Sequence, residues 1–299
     1  MIPLARVGGA HATLVGGKAR GLAVIARAGL PVPDGFVVTT VAHRIAMAGA
    51  GDVPGDVAHE VTRLVGELGD VPLAVRSSAS DEDGGDHSYA GQYLTQLGVR
   101  GPRETLDAIR SCWASADGAR ARAYRTQRGE DAGVAMAVVV QRLAHGEAAG
   151  VCMSVDPVTG DPDTIVVNAA HGLGELLVNG EVTPDDYRLS RADGRLVRYD
   201  AGDMEVMLVM GPDGPIQVPV PAHWRAARVL PDARLADLHA GVLACERAIG
   251  RPADCEFSIV TGRVVWLQCR PMTALPEAVH TRQARDLVRA RPADPEDRP

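Results

Sequence analysis

Of the 31 basic residues in this 299-residue chain, one is a lysine, Lys18. Arginine takes every other such position, so an ammonium here marks either a chemical requirement or chance, and its setting must decide. Lys18 lies in Val15-Gly16-Gly17-Lys18-Ala19-Arg20-Gly21, ahead of the apolar helical positions Leu22, Ile25 and Ala26. A glycine-rich turn feeding a helix N-terminus presents backbone N–H groups and suits phosphate. Lysine adds a compact point charge. The spacing is not that of a P-loop, so alone the signal is weak. A second group follows the short apolar strand Leu73-Ala74-Val75: Arg76 with Ser77, Ser78 and Ser80. A guanidinium and three hydroxyls at a strand exit can contact several phosphate oxygens at once. The competing reading is a polar loop capped by its own serines.

Two further groups carry chemistry. Tyr89-Ala90-Gly91-Gln92 places small residues between two strands, where a loop could close over a ligand, although by itself it reads as an ordinary turn. Near the C-terminus, Glu256, Gln268 and Arg270 sit in two β-patterned runs around Thr261-Gly262. They share a face if the connection is a three-residue loop, Val260-Thr261-Gly262, with Gly262 left-handed. Glu256 and Gln268 are then diagonal neighbours about 7–8 Å apart. Two oxygen ligands suit Mg²⁺, which takes water and phosphate oxygens for the rest. Arg270 would balance phosphate charge. The alternative is an exposed polar hairpin face; Trp266, expected on that same face, argues against full exposure.

The elements that must position these groups follow from pattern. Helices are expected over residues 18–29, 42–70 with a Gly/Pro interruption at 49–55, 103–128 and 232–249. The continuous apolar run 134–141 reads as a strand buried on both faces. Further strands are expected within 34–40 after a turn, at 93–99, 150–155 and 165–169, within 182–189, and in the hairpin 255–260/263–269. Residues 200–221 read as irregular. The boundaries drawn are an N-terminal lobe, 1–140, a C-terminal lobe, 141–275, and a charged tail, 276–299.

Composition narrows the class. A net charge of -7 argues against a general nucleic-acid binder, and the arginines at 120, 122, 125 and 128 read as a solvated helix face. No run is long and apolar enough to span a membrane, and Met1 to Gly17 lacks the plan of a signal peptide. Five cysteines without metal-ligand spacing read as reduced thiols in a cytoplasmic protein.

At this point the residues resemble a family. Leu73 to Asp83 followed by Tyr89-Ala90-Gly91-Gln92 is similar to the phosphate-binding block of phosphoenolpyruvate synthases, pyruvate phosphate dikinases and rifampicin phosphotransferases. So are Gly16-Gly17-Lys18, Pro31 to Phe36, Asp156-Pro157-Val158-Thr159-Gly160, Gly172-Leu173-Gly174-Glu175 and Leu267 to Pro271, in the family's order. The resemblance implies an α/β (α+β), two-lobed ATP-grasp-like fold with ATP in the cleft. It implies Lys18, Arg76 and Arg270 on the phosphates and Glu256 and Gln268 on Mg²⁺. Ser77, Ser78, Ser80, Gly91, Gln92, Asp156 and Thr159 belong to its nucleotide-binding blocks. Gln141, Arg142 and Leu143 would line the adenine, largely through backbone groups, and Glu175 would meet the ribose or the hinge.

Phe257 stands where the family usually has tryptophan, and His171 where an aromatic often sits. Family members continue into a swivelling domain whose Thr-Ser-His histidine takes the phosphate, and into a substrate domain; no Thr-Ser-His occurs here. The resemblance therefore implies a dikinase-type module, ATP to AMP and phosphate, working with a separate phosphohistidine-domain protein. Three alternatives stay open: a stand-alone ATP-grasp kinase or ligase acting on a small-molecule acceptor, a nucleotide-sensing module, and a piece of a longer enzyme.

Overall fold

The computed structural model describes residues 1–49, 51–79, 94–116, 135–272 and 275. Ser80, the acidic loop 81–86, Gly91, Gln92, the end of the 103–128 helix and the charged tail lie outside the described residues.

Two antiparallel sheets organise the chain. The first has five strands in the order β1 (Ile2–Pro3), β2 (Gly35–Val38), β5 (Met136–Arg142), β3 (Leu73–Ala79) and β4 (Thr95–Val99). The second has six, in the order β13 (Arg263–Pro271), β12 (Ala253–Val260), β6 (Ala148–Met153), β7 (Thr164–His171), β8 (Asp185–Ser190) and β9 (Leu196–Asp200). The run read as a strand buried on both faces is β5. Met136, Val138 and Val140 face one core while Ala137 and Val139 face another, as the two-residue period of a strand requires.

Helices cover those faces. α2 (Thr40–Ala48) and α3 (Gly55–Leu68) are separated at the expected Gly/Pro interruption. α3 buries Val61, Leu64, Val65 and Leu68, one apolar stripe at helical spacing. With α4 (Gly101–Ala116) it packs on the outer face of the first sheet around Ile109 and Trp113. The opposite face is covered by α1 (Ala12–Arg27), which also packs against β13 of the second sheet. Gly21 makes that approach possible: a Cβ there would stand 2.3 Å from the Cys269 carbonyl oxygen. α7 (Asp232–Ile249) closes the second sheet with Leu235, Leu238, Val242 and Cys245, and Gly241 lies flat on the Trp266 indole.

One segment departs from expectation. Within 200–221, residues 206–211 and 214–219 pair as a hairpin, β10 (Val206–Gly211) and β11 (Gly214–Pro219). Two apolar runs flank Pro212-Asp213, a turn signal that the many Gly and Pro residues concealed. Two short helices, α5 (Glu175–Val178) and α6 (Ala222–Arg225), and two 3-10 turns, Leu4–Arg6 and Gly9–His11, complete the described elements.

Candidate active site

The strand β3 sorts its polar residues by parity. Ala74, Arg76 and Ser78 face α1 and the space between the sheets; Leu73, Val75 and Ser77 face the other core. The Arg76 guanidinium crosses to the second sheet. Its Nη1 donates to the Leu267 carbonyl at 2.9 Å, and its Nη2 donates to Glu256 Oε2 at 2.9 Å and Gln268 Oε1 at 3.2 Å. Lys18, Arg76, Gln141, Leu143, Glu175 and Glu256 line one cleft of about 370 Å³.

The hairpin reaches this geometry by a route the sequence did not suggest. Its turn has two residues, not three: Val260 pairs with Arg263, and Thr261 and Gly262 both have positive φ, 48° and 69°. This is the primed turn that suits strand twist. Uninterrupted, that register would set Glu256 opposite Leu267 and turn Gln268 to the far face. A bulge between Glu256 and Phe257 in the pairing admits Leu267 as an extra residue, and Glu256 then pairs with Gln268. The two are directly opposed rather than diagonal. Trp266 pairs with Phe257 on the other face, packed under α7, so it does not share the Glu256 face as expected.

At Lys18 the local backbone is special. Gly16 interrupts α1 with φ 70° and ψ 179°, so a fresh helical turn starts at Gly17. A Cβ at Gly16 would stand 2.1 Å from the Ser78 carbonyl oxygen. Ser78 Oγ donates to the Val15 carbonyl at 2.8 Å and accepts from the Ala19 amide at 3.3 Å. Ser78 therefore braces the Lys18 turn rather than facing the cleft. Ser77 Oγ, on the wrong face, donates to the Leu94 carbonyl at 2.7 Å. Both hydroxyls were expected on phosphate; strand parity and these backbone partners place them elsewhere.

Burial opposes the charge of Glu256, but Arg76, Arg270 and Lys18 outweigh it and hold its pKa below the ordinary carboxylate value. Glu175 is shifted the other way, raised by burial and by Glu181 against the pull of Arg76. Arg270 is clamped by Asp254, with Nε and Nη2 donating to one carboxylate oxygen at 2.9 and 2.7 Å. It does not line the cleft. The amides of Arg142 and Leu143 donate to the Asp34 and Pro72 carbonyls at 2.8 and 2.9 Å, and the Arg142 side chain is exposed. Gln141 is 2% exposed and its Oε1 has no hydrogen-bond partner among the described residues.

Asp156 and Thr159 lie off the cleft. Asp156 Oδ1 accepts from the Val158 and Thr159 amides, and Oδ2 accepts from Arg188 at 2.7 Å. That folds the Asp156–Gly160 turn on itself. His171 stacks on Trp224 with ring centres 5.1 Å apart, also outside the cleft. Sequence reasoning missed the apolar wall at Leu97 and Leu177. It also missed Gly150, where a Cβ would meet the Asn168 carbonyl at 2.0 Å. The small-residue run 148–150 was the available signal.

A family model described as pyruvate phosphate dikinase, AMP/ATP-binding domain, matches residues 44–290. A probable phosphoenolpyruvate synthase of Methanothermobacter thermautotrophicus is 34% identical over 94% of this chain and 48% of its own length. The phosphoenolpyruvate synthase of Pyrococcus furiosus is 33% identical over 80% of this chain and 31% of its own. A rifampicin phosphotransferase of Streptomyces sviceus is 33% identical over 92% of this chain and 36% of its own. The chain thus spans less than half the length of these relatives. Among solved structures, a D-alanine–D-alanine ligase of Bacillus anthracis matches at TM-score 0.36 and 12% identity, covering 91% of this chain and 62% of that one. A dinucleotide-forming acetyl-coenzyme A synthetase of Ca. Korarchaeum cryptofilum matches at 0.44 and 10%, covering 84% and 90%. On the strength of the family match over most of its length, the chain belongs to the pyruvate phosphate dikinase AMP/ATP-binding domain family.

Proposed function

We propose that two lobes, residues 1–140 and 141–275, hold Mg·ATP between them. The chain then presents the β-phosphoryl group to a histidine on another domain or protein, leaving AMP and phosphate. The observation that carries this reading is the Arg76 cluster. One guanidinium from the first sheet meets a carboxylate, an amide and a carbonyl of the second, beside Lys18.

The donor set fits magnesium. Glu256 and Gln268 are directly opposed and offer oxygen ligands of the kind the ion takes alongside phosphate oxygens and water. When bound, the ion neutralises phosphate charge. Glu256 and Gln268 would hold the ion, Arg76 would turn to phosphate oxygens, and Lys18 would add a second cation to the same group. Arg270, kept by Asp254, acts through the field at Glu256 rather than by contact. The Gln141 oxygen, without a partner among the described residues, suits an amino-group donor such as that of adenine. Glu175 suits a ribose hydroxyl. Ser78 holds the turn that carries Lys18 and lends it rigidity. Phosphoryl transfer then depends mostly on positioning and charge. Five cysteines outside any disulfide fit a reducing compartment such as the cytoplasm.

Radiolabelled ATP tests the reading. Alone, the chain should bind Mg·ATP and turn it over slowly; adding a histidine-bearing swivelling domain should give AMP and phosphate. Lys18→Met should weaken binding or turnover by about tenfold or more while the circular dichroism stays unchanged. ADP as product would favour a direct kinase or ligase. Fast turnover by the chain alone, with stable phosphate on one of its own residues, would overturn the proposal.

A further inference from the structure

The cysteines at 112, 152, 245, 255 and 269 have no motif spacing in the sequence. The fold gathers four of them in one core. Cys152 on β6, Cys255 on β12 and Cys269 on β13 stand in a cross-strand row, with Cys255 paired to Cys152 on one side and to Cys269 on the other. Cys245 descends on this row from α7. The sulfurs of Cys245, Cys255 and Cys269 all lie within 4.8 Å of one another. These residues are 0%, 0% and 3% exposed, and none is in a disulfide.

Cysteine as a small apolar filler accounts for burial. It does not account for three sulfurs converging from three rigid elements, in a core whose other small positions hold alanine and valine. Convergent thiolates select soft cations, copper(I) and zinc(II) among them. A metal–sulfur bond of about 2.3 Å sets ligand sulfurs roughly 4 Å apart, so a small inward turn of the side chains suffices. Each ligating thiol gives its proton to solvent.

We propose that Cys245, Cys255 and Cys269 form a buried site for one thiophilic d¹⁰ metal ion, copper(I) or zinc(II). Cys152, next in the row, decides between them. Structural zinc takes four ligands and would draw on it; a three-coordinate copper(I) would not. The ion would fasten α7 to the β12–β13 hairpin on the face behind Glu256 and Gln268, since Cys255 and Cys269 adjoin those residues in sequence. The site is enclosed, so it loads as the chain folds.

The test refolds the full chain from urea with one equivalent of zinc(II), or of copper(I) under anaerobic conditions, followed by desalting. Metal content and X-ray absorption are then measured. The site predicts about one ion retained per chain, an all-sulfur first shell, and a melting midpoint raised by about 5 °C. Cys245→Ala and Cys269→Ala should weaken retention by at least about 100-fold, and Cys112→Ala should leave it unchanged. Weakening by Cys152→Ala marks the four-thiolate zinc form; indifference to it marks the three-thiolate form. If a variant does not fold, the first shell in the parent chain decides alone. Negligible retention of both ions, a shell of nitrogen or oxygen, or undiminished retention in a folded Cys245→Ala protein would overturn the proposal. None of these readouts depends on nucleotide binding.

Discussion

Replacing Arg76 with methionine keeps the apolar stem of the side chain and removes its charged head. Three hydrogen bonds go with it, at 2.9, 2.9 and 3.2 Å, and all three join the first sheet to the second. The side chains of Arg76 and Glu256 are only 11% and 26% exposed, so solvent replaces the lost partner poorly. Breaking a buried pair from one side costs about 3–5 kcal/mol; partial exposure of Glu256 lowers this to roughly 2–4 kcal/mol. For a chain of this size the melting midpoint should fall by roughly 3–6 °C. Glu256→Gln retains an acceptor and should cost about 1 kcal/mol. Urea unfolding of both single variants and the double variant should give a coupling energy of about 1–2 kcal/mol. The pH dependence supplies a second readout. The folded-state pKa of Glu256 is depressed, so the unfolded chain binds the proton more tightly. Its contribution is therefore complete above the unfolded carboxyl pKa, about 4.3, and is lost as pH falls through the folded value. The Glu256→Gln protein should lack that acid-side loss. Strict additivity, or an Arg76→Met cost within about 0.5 kcal/mol, would refute the claim that this guanidinium joins the sheets.

Gly16→Ala forces a left-handed alanine whose Cβ meets the Ser78 carbonyl, and should cost at least about 2 kcal/mol and weaken ATP binding in calorimetry; Gly8→Ala, with no atom near its Cβ, is the neutral control. Deleting Leu267 removes the bulge but leaves Glu256 facing Gln268 in a regular hairpin. Magnesium-dependent ATP binding should survive at a stability cost of about 1 kcal/mol, and its disappearance would show that the extra residue does more than restore register.

Much of the site was legible because its residues advertise themselves. A lone lysine after two glycines, an arginine at a strand exit, and a Glu–Gln pair flanking a Thr-Gly turn are local signals. What failed was parity. The apolar run in the sequence stops at Val75, which leaves Ser77 and Ser78 indistinguishable, whereas β3 runs to Ala79 and sends them to opposite faces. In an unbulged hairpin only an odd-length loop brings Glu256 and Gln268 to one face. The correction came instead from a bulge at Leu267, which looks like any other strand residue. The Asp156 turn was a family block whose own hydrogen bonds turn it inward. The cysteine convergence was hidden because cross-strand register and helix docking are non-local, and no spacing rule encodes them.

The placement of α1 bears on how the molecule comes apart. This helix shares a continuous core with Val37, Ala137 and Val139 of the first sheet and with Ile165, Phe257 and Trp266 of the second. A chain divided after residue 140 would leave that interior open on both fragments, so the halves are not autonomous folding units. Heat or denaturant should then melt both sheets together in one calorimetric transition, because neither sheet retains its covering once α1 detaches.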